Sequence, residues 1–145
     1  MSYAIDANLL LYAANADADE NARAVWFLQE CFNRGEVIYV AWPTLMAFLR
    51  ISTHPAIFPT PLTWEEAAQY VDTLLEVPHV RTLSEMEGFW DLYRELAADL
   101  LPRGNLVPDL HLAAILKQNG VRTLYTNDRD FKKFGFLDVR DPLEP

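Results

Sequence analysis

Four aspartates set the chemistry open to this sequence. Asp6 closes a short apolar run, Ser2–Asp6; Asp109 falls in the first turn after Pro108; Asp128 and Asp130 lie just beyond Thr126, which ends a run of β-formers. Carboxylates gathered within a few ångströms repel and raise one another's pKa unless a divalent cation neutralises them. Mg²⁺ or Mn²⁺ is the natural occupant, because a hard cation takes oxygen ligands, keeps several waters and binds phosphate oxygens readily. Zinc would call for Cys or His at paired spacing, and His54, His79, His111 and the lone Cys31 show none. Taken singly, each Asp has an ordinary explanation as a helix cap, a dipole partner or a turn former. Taken together, they predict a divalent-cation centre if the fold brings them to one place.

The elements on either side decide that. Ser2–Asp6 reads as a strand and 7–14 as a helix; the Asp17-Ala18-Asp19-Glu20 run reads as a capping start for a helix over 22–32 that Gly35 ends. Val37–Ala41 is a buried-looking strand, Pro43 opens a helix to Ile51, and Pro55, Pro59 and Pro61 force a loop. Two S/T-x-x-E strings, at Thr63 and Ser84, predict helices running to about Val77 and Leu101, with a short strand over 80–83 between them. The chain breaks at 102–105. Pro108 then begins a helix that Gly120 stops, 122–126 is a strand, and 137–140 is a short edge strand. Strands alternating with helices indicate an α/β fold with a mostly parallel sheet covered on both faces, and reactive groups in such sheets gather at the carboxyl ends of the strands. Asp6 and Asp128 occupy such ends.

The 145 residues, over 1–145, fit one compact domain, and the 51% apolar and 23% charged fractions exclude a disordered or low-complexity chain. A net charge of −9 argues against a generic nucleic-acid coat or a membrane-surface helix. The single cysteine, and the lack of a membrane-length apolar run or a basic-then-apolar leader, make a reducing cytoplasm the expectation. Residues 63–99 hold nine acids against two arginines, a net −7, and should repel a polyanion. Residues 122–140 hold Arg122, Arg129, Lys132, Lys133 and Arg140 against three acids, a net +2, beside the proposed centre. Arg50 and Arg103 are further candidates for that basic rim, which equally fits a solvated surface turn.

At these residues the sequence resembles a known family. Ile5-Asp6-Ala7-Asn8, the stretch Asn105-Leu106-Val107-Pro108-Asp109-Leu110-His111 and Thr126-Asn127-Asp128-Arg129-Asp130-Phe131 are similar to strings of PIN-domain ribonucleases. Trp42-Pro43 with Phe48-Leu49-Arg50-Ile51-Ser52-Thr53 points to the VapC toxins of bacterial toxin–antitoxin pairs. The resemblance covers nearly the whole chain and implies a PIN-like three-layer α/β/α sandwich with the activity of a metal-dependent endoribonuclease. It implies Asp6, Asp109 and Asp128 as acidic ligands of Mg²⁺ or Mn²⁺, with Asp130 and Asn8 as accessory positions; Thr126 could orient ligands or waters behind them. It further implies an RNA substrate, a homodimer, and inhibition by a VapB-type antitoxin whose amphipathic helix lies in an apolar groove and sends an Arg to the carboxylates.

One position departs from the family pattern. Many PIN domains carry a Glu where this chain has Ala47, three residues before Arg50, and no other acid lies between Val37 and Trp64. Losing that charge and ligand should weaken a second metal position most. Two further readings follow: a PIN-fold module that binds antitoxin or RNA without cleavage, or a Mg²⁺-dependent phosphotransfer domain, which also sets Asp at parallel-strand ends. The second needs an acid pair at the first strand and a later Lys; here the strings are Asp6-Ala7-Asn8 and Thr126-Asn127-Asp128.

Overall fold

The computed structural model describes residues 2–144. In chain order it has β1 (Tyr3–Ile5), α1 (Ala7–Ala14), α2 (Asn21–Asn33), β2 (Ile38–Ala41), α3 (Trp42–Ser52) and α4 (Trp64–Glu76). There follow β3 (Val80–Leu83), α5 (Phe89–Leu100), α6 (Leu106–Gln118), β4 (Thr123–Tyr125), a 3-10 helix over Arg129–Lys133, and β5 (Asp138–Arg140). The five strands form one sheet in the order β3-β2-β1-β4-β5, and every neighbouring pair is parallel.

Alternation along the strands builds a core on each face of the sheet. Tyr3 and Ile5 of β1 and Ile38 and Val40 of β2 point one way, where they meet Leu9, Phe27, Leu28, Leu45 and Leu74 from α1 to α4. Ala4 and Ala41 point the other way, onto Leu110, Ala113, Leu116 and Leu124, with Phe131 and Phe134 of the 3-10 segment and its exit closing that core. Helices therefore cover both faces, the three-layer α/β/α arrangement that the strand–helix alternation predicts. The expected edge strand at 137–140 is the parallel edge strand β5.

Three helix starts differ from expectation. The capping box at Thr63 forms in full, with Thr63 Oγ1 accepting from Glu66 N–H at 3.1 Å and Glu66 Oε1 accepting from Thr63 N–H at 3.0 Å. The string at Ser84 makes none: α5 begins five residues later, after Gly88 in the left-handed region at φ 82°. The segment between is instead held across the fold, where the Gln118 side chain bonds the Met86 amide and the Met86 and Glu87 carbonyls, and Glu85 pairs with His111. Nor does the 17–20 acid run cap α2, which begins at Asn21 with no side-chain cap. Asn21 turns back to donate to the Tyr12 and Ala13 carbonyls at the end of α1. Finally, α6 starts at Leu106, so Pro108 is its third residue; the first four N–H groups of a helix have no intrahelical partner, and a missing one there costs no bond.

Candidate functional site

Register sets the first two site residues side by side. Ile5 of β1 lies opposite Tyr125 of β4, and the Asp6 amide donates to the Tyr125 carbonyl at 3.0 Å, so Asp6 and Thr126 leave the sheet together. Asp6 is the N-cap of α1: its Oδ1 accepts from Ala7 N–H at 2.8 Å, and its Oδ2 accepts from Thr126 Oγ1 at 2.8 Å. The Thr126 hydroxyl, buried beneath the site, also accepts from Asn8 Nδ2 at 3.2 Å and from the Asp128 amide at 3.0 Å. One hydroxyl thus fixes Asp6, Asn8 and the turn that carries Asp128.

That turn continues the pattern. Asp128 Oδ1 accepts from Asp130 N–H at 2.9 Å and caps the 3-10 helix, which folds the two acids toward each other. From the other side of the sheet's carboxyl edge, the first turn of α6 delivers Asp109. Asp109, Asp128 and Asp130 each offer a carboxylate oxygen, and the three oxygens lie within 4.8 Å of one another. Asp6 stands at the margin of this group with both oxygens already accepting hydrogen bonds.

The electrostatics follow from that crowding. Desolvation, with the charges of Asp128, Asp6 and Asp130 behind it, pushes the Asp109 carboxyl from the usual carboxylate range up to about 6, while Lys133 pulls the other way. Burial also raises Asp6, opposed by its bonds from Thr126 and the Ala7 amide. Carboxylates crowded in this way fit a divalent cation: the donor set is all oxygen, desolvated at Asp6 and Asp109, and short of positive charge.

The structure brings together Asp6, Asn8, Asp109, Thr126, Asp128 and Asp130, with Lys133 beside Asp109. The other basic candidates make no ion pair with these four acids among the described residues. Arg129 is engaged by Glu144 at 3.1 Å and is 79% exposed. Lys132 lines a small cavity of about 130 Å³ with Thr126, Asp128, Arg129, Asp141 and Glu144. Arg50, in the last turn of α3, and Arg103, between α5 and α6, are exposed and make no ion pair with the carboxylates among the described residues. Ala47 is half-buried midway along α3 and supplies no oxygen.

Sequence reasoning missed a supporting chain. Asn127 donates through Nδ2 to Asp141 at 2.9 Å and accepts from the Tyr12 hydroxyl at 3.4 Å, tying α1 and the segment after β5 to the turn of Asp128. The signal was the polar Asn127 between two ligand-type positions, but its partners lie 115 and 14 residues away along the chain.

Known proteins resemble this chain along nearly its whole length. A family model described as PIN domain matches residues 3–137. The ribonuclease VapC48 of Mycobacterium tuberculosis is 36% identical over 99% of both chains. The VapC ribonuclease Mb2897 of Mycobacterium bovis is 35% identical over 97% of this chain and 95% of its own. Among solved structures, the sarcin-ricin loop cleaving toxin VapC20 of Mycobacterium tuberculosis aligns over 95% of this chain and 98% of its own, with TM-score 0.69 and 17% identity. The VapBC2 structure of Rickettsia felis, bound to a promoter DNA fragment, aligns over 97% and 98% with TM-score 0.67 and 20% identity. With the acids at the carboxyl edge of a parallel sheet and this similarity along the whole chain, the protein belongs to the PIN-domain family, among its VapC members.

Proposed function

We propose that this protein is a metal-dependent endoribonuclease, the toxin of a toxin–antitoxin pair, cleaving RNA phosphodiesters in the cytoplasm. The observation that carries the reading is the triangle of Asp109, Asp128 and Asp130 oxygens within 4.8 Å. These three would hold Mg²⁺ or Mn²⁺, and Asp6 adds a fourth charge, since a carboxylate oxygen keeps a lone pair beyond one accepted bond. When bound, the ion lowers the pKa of its water and stabilises negative charge on the reacting phosphate. Thr126 and Asn8 hold Asp6 and the Asp128 turn in place, so the acids need no rearrangement to act. Lys133, beside Asp109, offsets part of the repulsion that an incoming phosphate meets. The test is incubation with total cellular RNA in Mg²⁺, Mn²⁺ or chelator: fragments that form only with metal support the reading, and metal-independent fragments refute it.

The basic rim is assigned to the RNA backbone. Lys132→Glu with Lys133→Glu is expected to weaken RNA binding and to make log affinity against log salt shallower by about 1.4, at ~0.7 per phosphate contact on a single strand. Titrations at several salt concentrations check this, and an unchanged slope removes the two lysines from the interface.

Ala47 favours a second reading, a PIN fold that binds antitoxin or RNA without cutting it. If Ala47 only weakens a second metal position, Ala47→Glu should raise metal affinity and cleavage by roughly tenfold. Calorimetric titration with Mn²⁺ and single-turnover cleavage read both. A drop in both takes this position away from the metal site, and RNA binding without cutting in either form favours the non-catalytic module.

The antitoxin partner fits a groove of about 620 Å³ among α1 to α4, walled by Leu10, Leu28, Phe32, Phe48, Tyr70 and Leu74. Its size and apolar walls suit an amphipathic helix, and α1, which forms one wall, is capped by Asp6. A partner segment leaving the groove along α1 therefore arrives at the carboxylates, where an Arg would pair with them. A homodimer completes this assembly.

A further inference from the structure

Helix α5 has no fully buried residue, yet it carries the ring pair Trp90 and Tyr93, stacked 13° from parallel with centroids 5.9 Å apart. Trp90 is 65% exposed, so one face of the pair lies in the core direction and the other is open. The pair is anchored to the helix that carries Asp109. The Tyr93 hydroxyl donates to the Val107 carbonyl at 3.2 Å, and Phe89 packs edge-on against His111 at 5.6 Å. With Tyr93 opposite Val107 and Phe89 opposite His111, the turn of α5 that holds Trp90 is level with the turn of α6 that holds Asp109. The two are separated by the width of about one or two helices, ~10–20 Å.

We propose that Trp90, backed by Tyr93, stacks an unpaired base of the RNA strand whose phosphate lies at the carboxylates, and that Arg94 meets the adjoining phosphate. The inference rests on the ribonuclease reading above. At ~100° per residue Arg94 falls on the same side of α5 as Trp90, one turn on, and it makes no ion pair among the described residues. The acids of α5, Asp91, Glu95 and Asp99, follow one another at the same spacing down a neighbouring stripe, ~60° from Arg94 at Asp91 and ~140° from it at Asp99. The net charge of this region thus leaves one face on which an aromatic ring and a cation stand together, the pairing found on single-strand binding surfaces. Stacking needs no charge and tolerates any base, so the platform would favour unpaired over duplex RNA.

The test uses the whole protein, in chelator so that the strand stays intact, with a labelled oligouridylate and the same RNA annealed to its complement. Trp90→Ala is expected to lower affinity for the single strand about tenfold, with duplex binding unchanged and Trp90→Phe within a few-fold of wild type. With metal, Trp90→Ala should raise KM by a similar factor and leave kcat unchanged. Equal single-strand affinity in wild type and Trp90→Ala, while the wild type cleaves RNA, overturns the platform and leaves the nuclease standing. Conversion of a dimer to a monomer by Trp90→Ala, read by sedimentation velocity, also overturns it, because the open ring then belongs to a contact with a second copy. Failure of the wild type to cleave RNA with any metal, with Trp90-dependent single-strand binding retained, removes the nuclease reading and supports the platform.

Discussion

Asp109→Asn is expected to reduce RNA cleavage by a thousandfold or more while making the metal-free protein more stable. The carboxyl accepts no hydrogen bond from the protein among the described residues, so the isosteric amide removes a charge and breaks nothing. The proposed reaction needs the charge, and without a cation the charge is costly: burial and three neighbouring acids push the carboxyl up to about 6. The sign of the pH effect follows. A carboxyl whose folded pKa lies above its unfolded value binds more protons when folded. Its contribution to stability is present below the unfolded pKa and is lost as pH rises through about 6. Asp109 is half-exposed, so solvent screening reduces the penalty at neutral pH to on the order of 1 kcal/mol, or ~3 °C in Tm for a domain of this size. Thermal melts in chelator should show Asp109→Asn and wild type coinciding near pH 4 and the variant melting higher by pH 7, and saturating Mn²⁺ should raise only the wild type. A variant that cleaves at the wild-type rate, or a Tm difference that shrinks with rising pH, would refute both the role and the electrostatics.

Local rules made the framework and its acids readable, and tertiary contacts hid the remainder. The unbroken apolar runs Tyr3-Ala4-Ile5 and Ile38-Tyr39-Val40-Ala41, alternating along the chain with helices, predict a sheet covered on both faces, and the position of Asp6 after β1 and of Asp128 after β4 follows from the strands themselves. Asp109 was readable from its place at a helix start. What could not be read is which oxygens meet: Asp130 joins Asp109 and Asp128 in the tightest group, and Asp6 stands beside it, because its oxygens are drawn to a helix amide and a threonine on another strand. The false start at Ser84 has the same origin. Its string is a valid local cap, but Gln118 and His111, both on α6, hold that segment in another conformation. Trp90 offered only an apolar residue on an amphipathic helix; its open face depends on how α5 lies against α6.

Thr126→Val is expected to cost about 2–3 kcal/mol and to lower Tm by roughly 6–10 °C, although the side chain keeps its shape in a fully buried place. The hydroxyl is both donor and acceptor: it donates to the Asp6 carboxylate and accepts from Asn8 Nδ2 and the Asp128 amide. A methyl group leaves all three without that partner, and an unmade bond to a desolvated charge costs more than one between neutral groups. Asp6, already raised by burial, loses one of the two bonds that oppose the rise. The turn of Asp128 loses its tether to β4 as well, so the carboxylates drift out of register and cleavage should fall with stability. Thr126→Ser separates the two contributions, because it restores the hydroxyl and removes only a methyl group, for about 1 kcal/mol. If the hydroxyl orders the site, Ser retains cleavage and metal affinity near wild type at a reduced Tm, whereas Val loses both even at temperatures where it is fully folded. Equal cleavage by the folded Val and Ser variants would mean that the strand ends alone position Asp6 and Asp128, and that Thr126 serves stability only.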